Sequence, residues 1–327
     1  MTRLTVAMPV YNAMPYLPSA IKSILEQTYS DFRFIIINDG STDASAEYLD
    51  SITDKRITLI HQDNRGTGNT ANRSFDLCDT EFYARMDADD ISLPERFKTQ
   101  LSFMVENRDI VMLGTQFAFI AGQRILPAPA TPTTHDDIIK LLLKKKPVLC
   151  NSSIIVRMDA VRKTDGYRVN GVCEDFDFFL RMSEIGRLAN LDQVFLHYRM
   201  HMGSAVATKQ DEMCWGIAYA IECSECRRNG KPEPKLDDFK RSWPARGILQ
   251  KTVDRIDQWS VIQYRKALMD IGNARTLRGV IRLSSAAACR PGTSMRHIIT
   301  RMLRKRESVV MKKVGTYKDA IDKGQEI

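Results

Sequence analysis

Long hydrophobic runs are missing from this 327-residue chain. The uncharged segment 110–123 covers 14 residues, too short to cross a bilayer as a helix. The N-terminus, Met1-Thr2-Arg3-Leu4-Thr5-Val6, runs straight into a strand-like segment and leaves no room for a signal peptide. A cytoplasmic location is therefore expected. Cysteine supplies no framework, because the seven are scattered and odd in number, which fits reduced thiols. Cys223 and Cys226 form a lone Cys-x-x-Cys. No second pair stands at zinc-ribbon spacing and no strand leads into it, so it reads as a helical face. The Gly-rich segment Asn64-Arg65-Gly66-Thr67-Gly68-Asn69 lacks the Lys of a P-loop and fails the G-x-G-x-x-G spacing. Internal repeats and long low-complexity tracts are absent. Acids are scarce near the end: 271–313 holds 11 basic residues and only Glu307.

What is present is ordinary for a soluble globular protein, at 43% hydrophobic and 27% charged. The length suits one large α/β domain with an appendage, or two small domains. The net charge of +8 is unevenly spread, with 25 Lys and Arg against 14 Asp and Glu in 205–327. The first 204 residues are therefore slightly acidic, and the tail calls for an anionic partner.

The first half alternates strand and helix patterns. Thr5–Val10 is an apolar strand, and 15–27 places Leu17, Ile21, Ile24 and Leu25 at helical spacing. Phe32–Ile37 is a β-branched and aromatic run typical of a strand buried on both faces. Further strands are expected at 57–60 and 82–86, with helices at 66–77 and 94–106. This order predicts a mostly parallel sheet with helices on both faces. Ligands then bind past the carboxyl ends of the strands, where Tyr11-Asn12, Asp39-Gly40 and Asp87-Ala88-Asp89 stand. After Thr115 the pattern breaks into shorter strand pieces at 116–120, 153–156 and 194–198, mixed with helices and a Pro-rich loop at 127–132. From 205 the chain reads as basic and mainly helical.

Arg85-Met86-Asp87-Ala88-Asp89-Asp90 crowds three carboxylates into four positions. Such a cluster repels itself, and burial raises its pKa, so a folded protein seldom keeps it without a cation. Oxygen ligands suit Mg²⁺ or Mn²⁺ shared with substrate phosphates. The competing reading is an acidic turn in which Asp89 or Asp90 caps the helix beginning near Pro94.

Six segments, in this order and spacing, resemble the family 2 glycosyltransferases of the GT-A fold. They are Met8–Asn12, Ile36–Asp43, Asn64–Gly66 with Ala71-Asn72, Asp87–Asp90, Glu174–Arg181 and Tyr198–His201. The match covers roughly 4–204. It implies a Rossmann-like GT-A catalytic domain over 1–204, with a nucleotide-sugar half at about 1–115 and an acceptor half at about 116–204. The region 205–327 lies outside it.

The resemblance implies a role for each motif. Asp39 would accept a hydrogen bond from the nucleotide base, beside the turn role that Asp-Gly chemistry favours. Pro9, Tyr11 and Asn12 would cradle base and ribose, with Tyr11 equally suited to packing. Asp43 is expected to cap the following helix. Arg65 is a phosphate candidate, while Gly66 and Gly68 serve conformation. Asp87 would contact the ribose, or the metal through water, and Asp89 would bind the metal that bridges the donor diphosphate. Asp175 would be the general base, although acids at a helix N-terminus, Glu174 included, also complement its dipole. His201 would reach the diphosphate or the metal. Arg199 alternates with Tyr198 and shares a strand face with His201.

The resemblance also implies the reaction: inverting, metal-dependent transfer from a nucleotide diphosphate sugar, a UDP-sugar, to a saccharide or lipid-linked saccharide acceptor in surface polysaccharide biosynthesis. The chain has Arg241-Ser242-Trp243 where processive synthases carry Q-x-x-R-W, and no spans, so transfer is expected to be non-processive. Two rivals stand beside this. A nucleotidyltransferase would carry a Gly-rich, Lys- or Arg-bearing signature after the first strand, where this chain has Tyr11-Asn12-Ala13-Met14-Pro15. A nucleic-acid-binding protein would suit the basic tail, but the tail has few aromatics and no recognisable motif, so no nucleic acid is expected. Ile298, Ile299, Met302, Leu303, Val309 and Val310 can form an apolar stripe opposite Arg296, Arg301, Arg304 and Lys305. That pattern fits a helix on an anionic membrane surface, on the inner face of the cytoplasmic membrane, or a helix docked on the catalytic domain.

Overall fold

The computed structural model describes residues 2–146, 148–168, 173–201, 203, 208–245 and 247–289. The chain opens with β1 (Leu4–Val10), α1 (Leu17–Leu25), β2 (Phe32–Asp39), α2 (Ser45–Asp50), β3 (Ile57–Gln62), α3 (Thr67–Asp76) and β4 (Phe82–Arg85). It continues through β5 (Ile91–Ser92), α4 (Arg96–Glu106), β6 (Ile110–Ala121), β7 (Arg124–Pro127), α5 (His135–Leu142), β8 (Ile155–Arg157), α6 (Met158–Val161), α7 (Glu174–Ile185) and β9 (Arg187–Met200). Helices α8 (Gln210–Arg228), α9 (Leu236–Ser242), α10 (Ile248–Gly272) and α11 (Thr276–Cys289) follow.

The strands join in one sheet in the order β3-β2-β1-β4-β8-β6-β9-β5, with β7 on β6. β3, β2, β1 and β4 run parallel, Val6 pairing with Phe34 on one side and Ala84 on the other. β8 is antiparallel to both β4 and β6. The apolar runs explain the centre: every residue of β1 except Pro9 is buried, and so is every residue of β2 except Arg33. α1 covers one face because Leu17, Ala20, Ile21 and Ile24 recur at helical spacing and are all buried. Pro18 sits in its first turn, where a missing N–H costs nothing. On the other face Phe75, Tyr83, Tyr167 and Phe178 form a ring cluster, with Tyr167 and Phe178 stacked at 4.6 Å.

The second half departs from the expected short strand pieces. β6 and β9 are 12 and 14 residues long and pair in parallel along most of their length. Register shifts near Thr115–Phe117 leave Asp192 and Gln193 of β9 outside the pairing. These two polar residues break the apolar pattern, so only the part of the bulged strand after them, 194–198, reads as a strand. The last strand, β9, ends at Met200, and only helices follow among the described residues. α10 and α11 form an antiparallel pair in which Ser260 donates to the Ala286 carbonyl. Gly272 at the end of α10 touches the Ala121 backbone, where a Cβ would stand 1.8 Å from the carbonyl oxygen. The apolar stripe 298–310 of the tail lies outside the described residues.

Candidate active site

Strand order reverses at β1, with β2 on one side and β4 on the other. The carboxyl ends of β1 and β4 therefore flank an open crevice, the usual ligand site of such sheets. The acidic cluster stands there. Arg85, the last residue of β4, is 2% exposed, and its Nε donates to Asp87 Oδ1 at 3.0 Å. Burial raises the Asp87 carboxyl, the Arg85 charge opposes that, and the Asp89 charge adds to it. Asp90 is fully buried. Its Oδ1 accepts from the Arg199 amide at 2.8 Å, and its Oδ2 has no partner among the described residues. Burial first, then the charges of Asp89 and Asp87, push its pKa well up. The helix-cap reading of Asp89 or Asp90 therefore does not hold, because α4 begins at Arg96, beyond their reach, and Glu95 takes the cap position.

Asp89 meets β9 instead. Its Oδ2 lies 2.9 Å from His201 Nε2, and its carbonyl accepts from Arg199 Nε at 2.7 Å. Arg199 and His201 share the strand face that alternation requires, while Tyr198 packs against Phe117 and Phe119 on the other. Tyr16, just before α1, lies against both, with the Arg199 guanidinium 4.7 Å and the His201 ring 5.4 Å from its ring centre.

A divalent ion fits this pair. Adjacent ligands on an octahedral ion bound at about 2.1 Å stand roughly 3 Å apart, close to the observed separation. No group of three or more metal-type side chains occurs among the described residues.

The nucleotide side is built by loops. Asp39, at the end of β2, is 4% exposed. Its Oδ1 accepts from Gln62 Nε2 (2.6 Å) and the Arg65 amide (2.9 Å), and its Oδ2 from the Gly66 amide (3.0 Å). Asp39 thus organises a turn, but the one at 64–66 rather than its own. Gly40 has φ +72°, and a Cβ there would stand 2.8 Å from the Asn64 amide. Gly66, at φ +82°, leads into α3. Both positions favour glycine.

The Asn12 side chain is engaged by the loop after β2, its Oδ1 accepting from the Thr42 amide at 2.7 Å. Asp43 accepts from the Ser45 and Met14 amides, at the entrance of α2. Tyr11 is 53% exposed over the crevice, Pro9 is half-buried on β1, and the Arg65 side chain is exposed.

Asp175 lies in the first turn of α7, near enough to Asp87 and Arg85 to feel their charges. It is half-buried, and its Oδ1 accepts from the Phe176 amide at 2.8 Å. Burial raises its pKa most. The Phe176 bond lowers it, the nearby Asp87 charge raises it, and Arg85 lowers it. Glu174 is turned toward α3, its carboxylate 3.0 Å from where a Cβ on Gly68 would stand. Burial raises its pKa too, with Asp175 adding to the effect. Sequence reasoning named the acids but gave no role to Arg85, whose signal was a charge inside a buried strand. It also missed Ser152, which accepts from the Asp87 amide at 3.0 Å, and Tyr16. An open depression of about 700 Å³ lies elsewhere, among α5, the end of α7 and α8. Converging polar groups, not cavity size, mark the crevice as the site.

Comparison with known proteins bears on this site. The family described as "Glycosyl transferase family 2" matches residues 5–164. An uncharacterised glycosyltransferase of Haemophilus influenzae is 31% identical over 212 residues, 61% of this chain and 65% of that protein, just under two thirds of its length. The O-antigen biosynthesis glycosyltransferase WbnJ of Escherichia coli is 32% identical over 204 residues, 61% of this chain and 80% of that protein. Among solved structures, residues 1–349 of TarS from S. aureus, in complex with UDP-GlcNAc, superpose with a TM-score of 0.58. Identity is 14%, over 88% of this chain and 91% of that one. The mannosyltransferase PcManGT from Pyrobaculum calidifontis, with GDP-Man and Mn²⁺, gives a TM-score of 0.53 at 14% identity, over 92% and 79% of the two chains. These likenesses show the fold, a mostly parallel GT-A sheet with a helical C-terminal part.

Proposed function

We propose, because the chain belongs to the family 2 glycosyltransferases, that it moves a sugar from a nucleotide diphosphate sugar to a saccharide or lipid-linked saccharide in surface polysaccharide biosynthesis. The observation that carries the proposal is the convergence of Asp87, Asp89 and Asp175 on one crevice beside the loops held by Asp39. A UDP-sugar is the donor assigned, with inversion and release after each transfer.

The residues then have separate tasks. A carboxylate offers about four acceptor positions. Asp39 uses three on Gln62 and the loop at 64–66, which leaves one on Oδ2 for a base N–H. Tyr11 and Pro9 flank the base, Asp87 faces the ribose, and Arg65 stands over the diphosphate. Asp89 and His201 are the protein ligands proposed for Mg²⁺ or Mn²⁺. When bound, the ion would offset the charge that develops on the departing diphosphate.

Asp175 faces the acceptor. The acceptor hydroxyl oxygen attacks the anomeric carbon, the carbon–oxygen bond to the diphosphate breaks, and its electron pair leaves with the diphosphate oxygen. Asp175 takes the hydroxyl proton. A raised pKa suits it, since general bases work best near the operating pH. The family resemblance, with a single base proposed among the described residues, supports inversion. A cytoplasmic enzyme working peripherally at an anionic membrane would meet a lipid-linked acceptor, and no helix among the described residues is long and apolar enough to cross a membrane.

Calorimetric titration of UDP with Mn²⁺, and with a chelator in its place, tests the donor site. Wild-type protein should bind far more tightly with the ion, and Asp89→Ala should lose that difference. An Asp89→Ala protein that keeps the wild-type gain in affinity on adding Mn²⁺ would remove Asp89 from the metal site.

A further inference from the structure

Among the described residues, twelve large apolar side chains are exposed, and six of them crowd onto α10 and α11. On α11 these are Leu277, Val280 and Ile281, at spacings of three and four, with Leu277 77% exposed. They lie away from Gly279, Leu283 and Ala286, which are buried on the side facing α10. On α10, Val253, Ile256 and Trp259 recur every three residues in its N-terminal half. There Ile256 and Trp259 line an apolar groove of about 300 Å³ that ends at Cys289. Scattered exposed apolar residues need no explanation, but a cluster on one two-helix unit marks a surface that meets something.

The charges narrow what that is. Over 247–289, the charged residues in the fully exposed class are Lys251, Arg255, Arg275 and Arg278, all basic. The acids Asp254, Asp257 and Asp270 are half-buried, and Asp270 pairs with Arg278 and Arg282. An apolar helix face with basic flanks and no exposed acid suits the interface of an anionic bilayer. The apolar side chains enter the acyl boundary, the cations stay with the headgroups, and a tryptophan sits at the edge.

We propose that the outer face of the α10–α11 hairpin docks in-plane on an anionic lipid bilayer. The proposal deepens the peripheral location given above and rests on it, but it assigns the contact to described helices and not to the tail beyond residue 289. Sedimentation of the full chain with phosphatidylglycerol–phosphatidylcholine vesicles, and with phosphatidylcholine alone, tests it at two salt concentrations.

Wild-type protein should bind the anionic vesicles, less so at high salt, since each basic residue near the surface is worth roughly fivefold in binding. Leu277→Gln, Val280→Gln and Ile281→Gln together should weaken binding roughly tenfold or more. Turnover of a water-soluble acceptor should stay unchanged, which also shows that the fold is kept. Vesicles should shift tryptophan emission to the blue, and Trp259→Phe should reduce that shift. Unaltered vesicle binding by the triple variant would overturn the proposal and place the contact elsewhere in the chain. Absence of wild-type binding would overturn both this surface and the peripheral location. A wild-type dimer made monomeric by the variant, without vesicle binding, would assign the face to a second copy of the chain instead.

Discussion

Glu233 ties the helical C-terminal part to the segment that leads into Asp175, and its removal has a calculable effect. Its carboxylate accepts from Arg168 at 2.5 and 3.0 Å and from Arg227 at 2.8 Å. Arg227 also holds Glu184 of α7 at 2.7 Å, and Arg168 lies 3.9 Å from Asp177 on the same helix. Burial pushes the Glu233 pKa upward, but the two arginines outweigh it and bring it from the ordinary 4.5 to about 2. Fully expressed, that difference would correspond to about 3 kcal/mol of folding free energy.

Because the Glu233 side chain is 25% exposed, solvent screening brings this to ~1–2 kcal/mol. A depressed carboxylate contributes stability above its unfolded pKa and loses it as pH falls through the folded value. Glu233→Gln should therefore unfold in urea with ~1–2 kcal/mol less stability at pH 7. The gap should narrow as the pH drops from about 4.5 toward 2. A pH-independent gap, or none at pH 7, would show that the arginines are not held by this charge.

Two further outcomes follow from the crevice. Asp175 must be ionised to accept a proton, and burial raises its pKa, so kcat should fall with acid along a limb lying above the ordinary carboxylate value of about 3.9; a pH–rate profile on a soluble acceptor checks this, and a limb at the ordinary value would contradict it. Arg85→Met leaves Asp87 half-buried without its cation; breaking a fully buried pair typically costs about 3–5 kcal/mol, and the 34% exposure of the Asp87 side chain lowers that; thermal unfolding at neutral pH should show a loss that shrinks in acid, where Asp87 is protonated.

The centre of the fold was legible because β1 and β2 are continuous apolar runs, and such runs read as buried parallel strands whatever surrounds them. β6 and β9 were not, since Asp192-Gln193 and the register shifts interrupt a period that only pairing restores. At the site, motif spacing marked Asp87, Asp89, Asp175 and His201, but not which groups meet. The contact of His201 with Asp89 joins residues 112 positions apart and is fixed by the pairing of β5 with β9. The engagement of Asn12 by the loop at 41–43 and of Asp39 by the loop at 64–66 likewise depends on neighbouring strand ends, which a linear reading leaves unpaired. Exposure of the apolar face of α11 was also beyond sequence, because a helix pattern does not say which stripe is covered.

Release of nucleoside diphosphate from a panel of nucleotide sugars, with Mg²⁺ or Mn²⁺ and a saccharide acceptor, tests the proposed reaction most directly when wild-type and Asp175→Asn proteins are run together. Wild-type protein should turn over a UDP-sugar in an ion-dependent way. Asp175→Asn, which keeps the shape but cannot take the proton, should be slower by roughly 10²–10⁴-fold while binding UDP normally. Undiminished transfer by Asp175→Asn would contradict the assignment of the base, and loss of UDP binding with the chemical step intact would move Asp175 to the donor side.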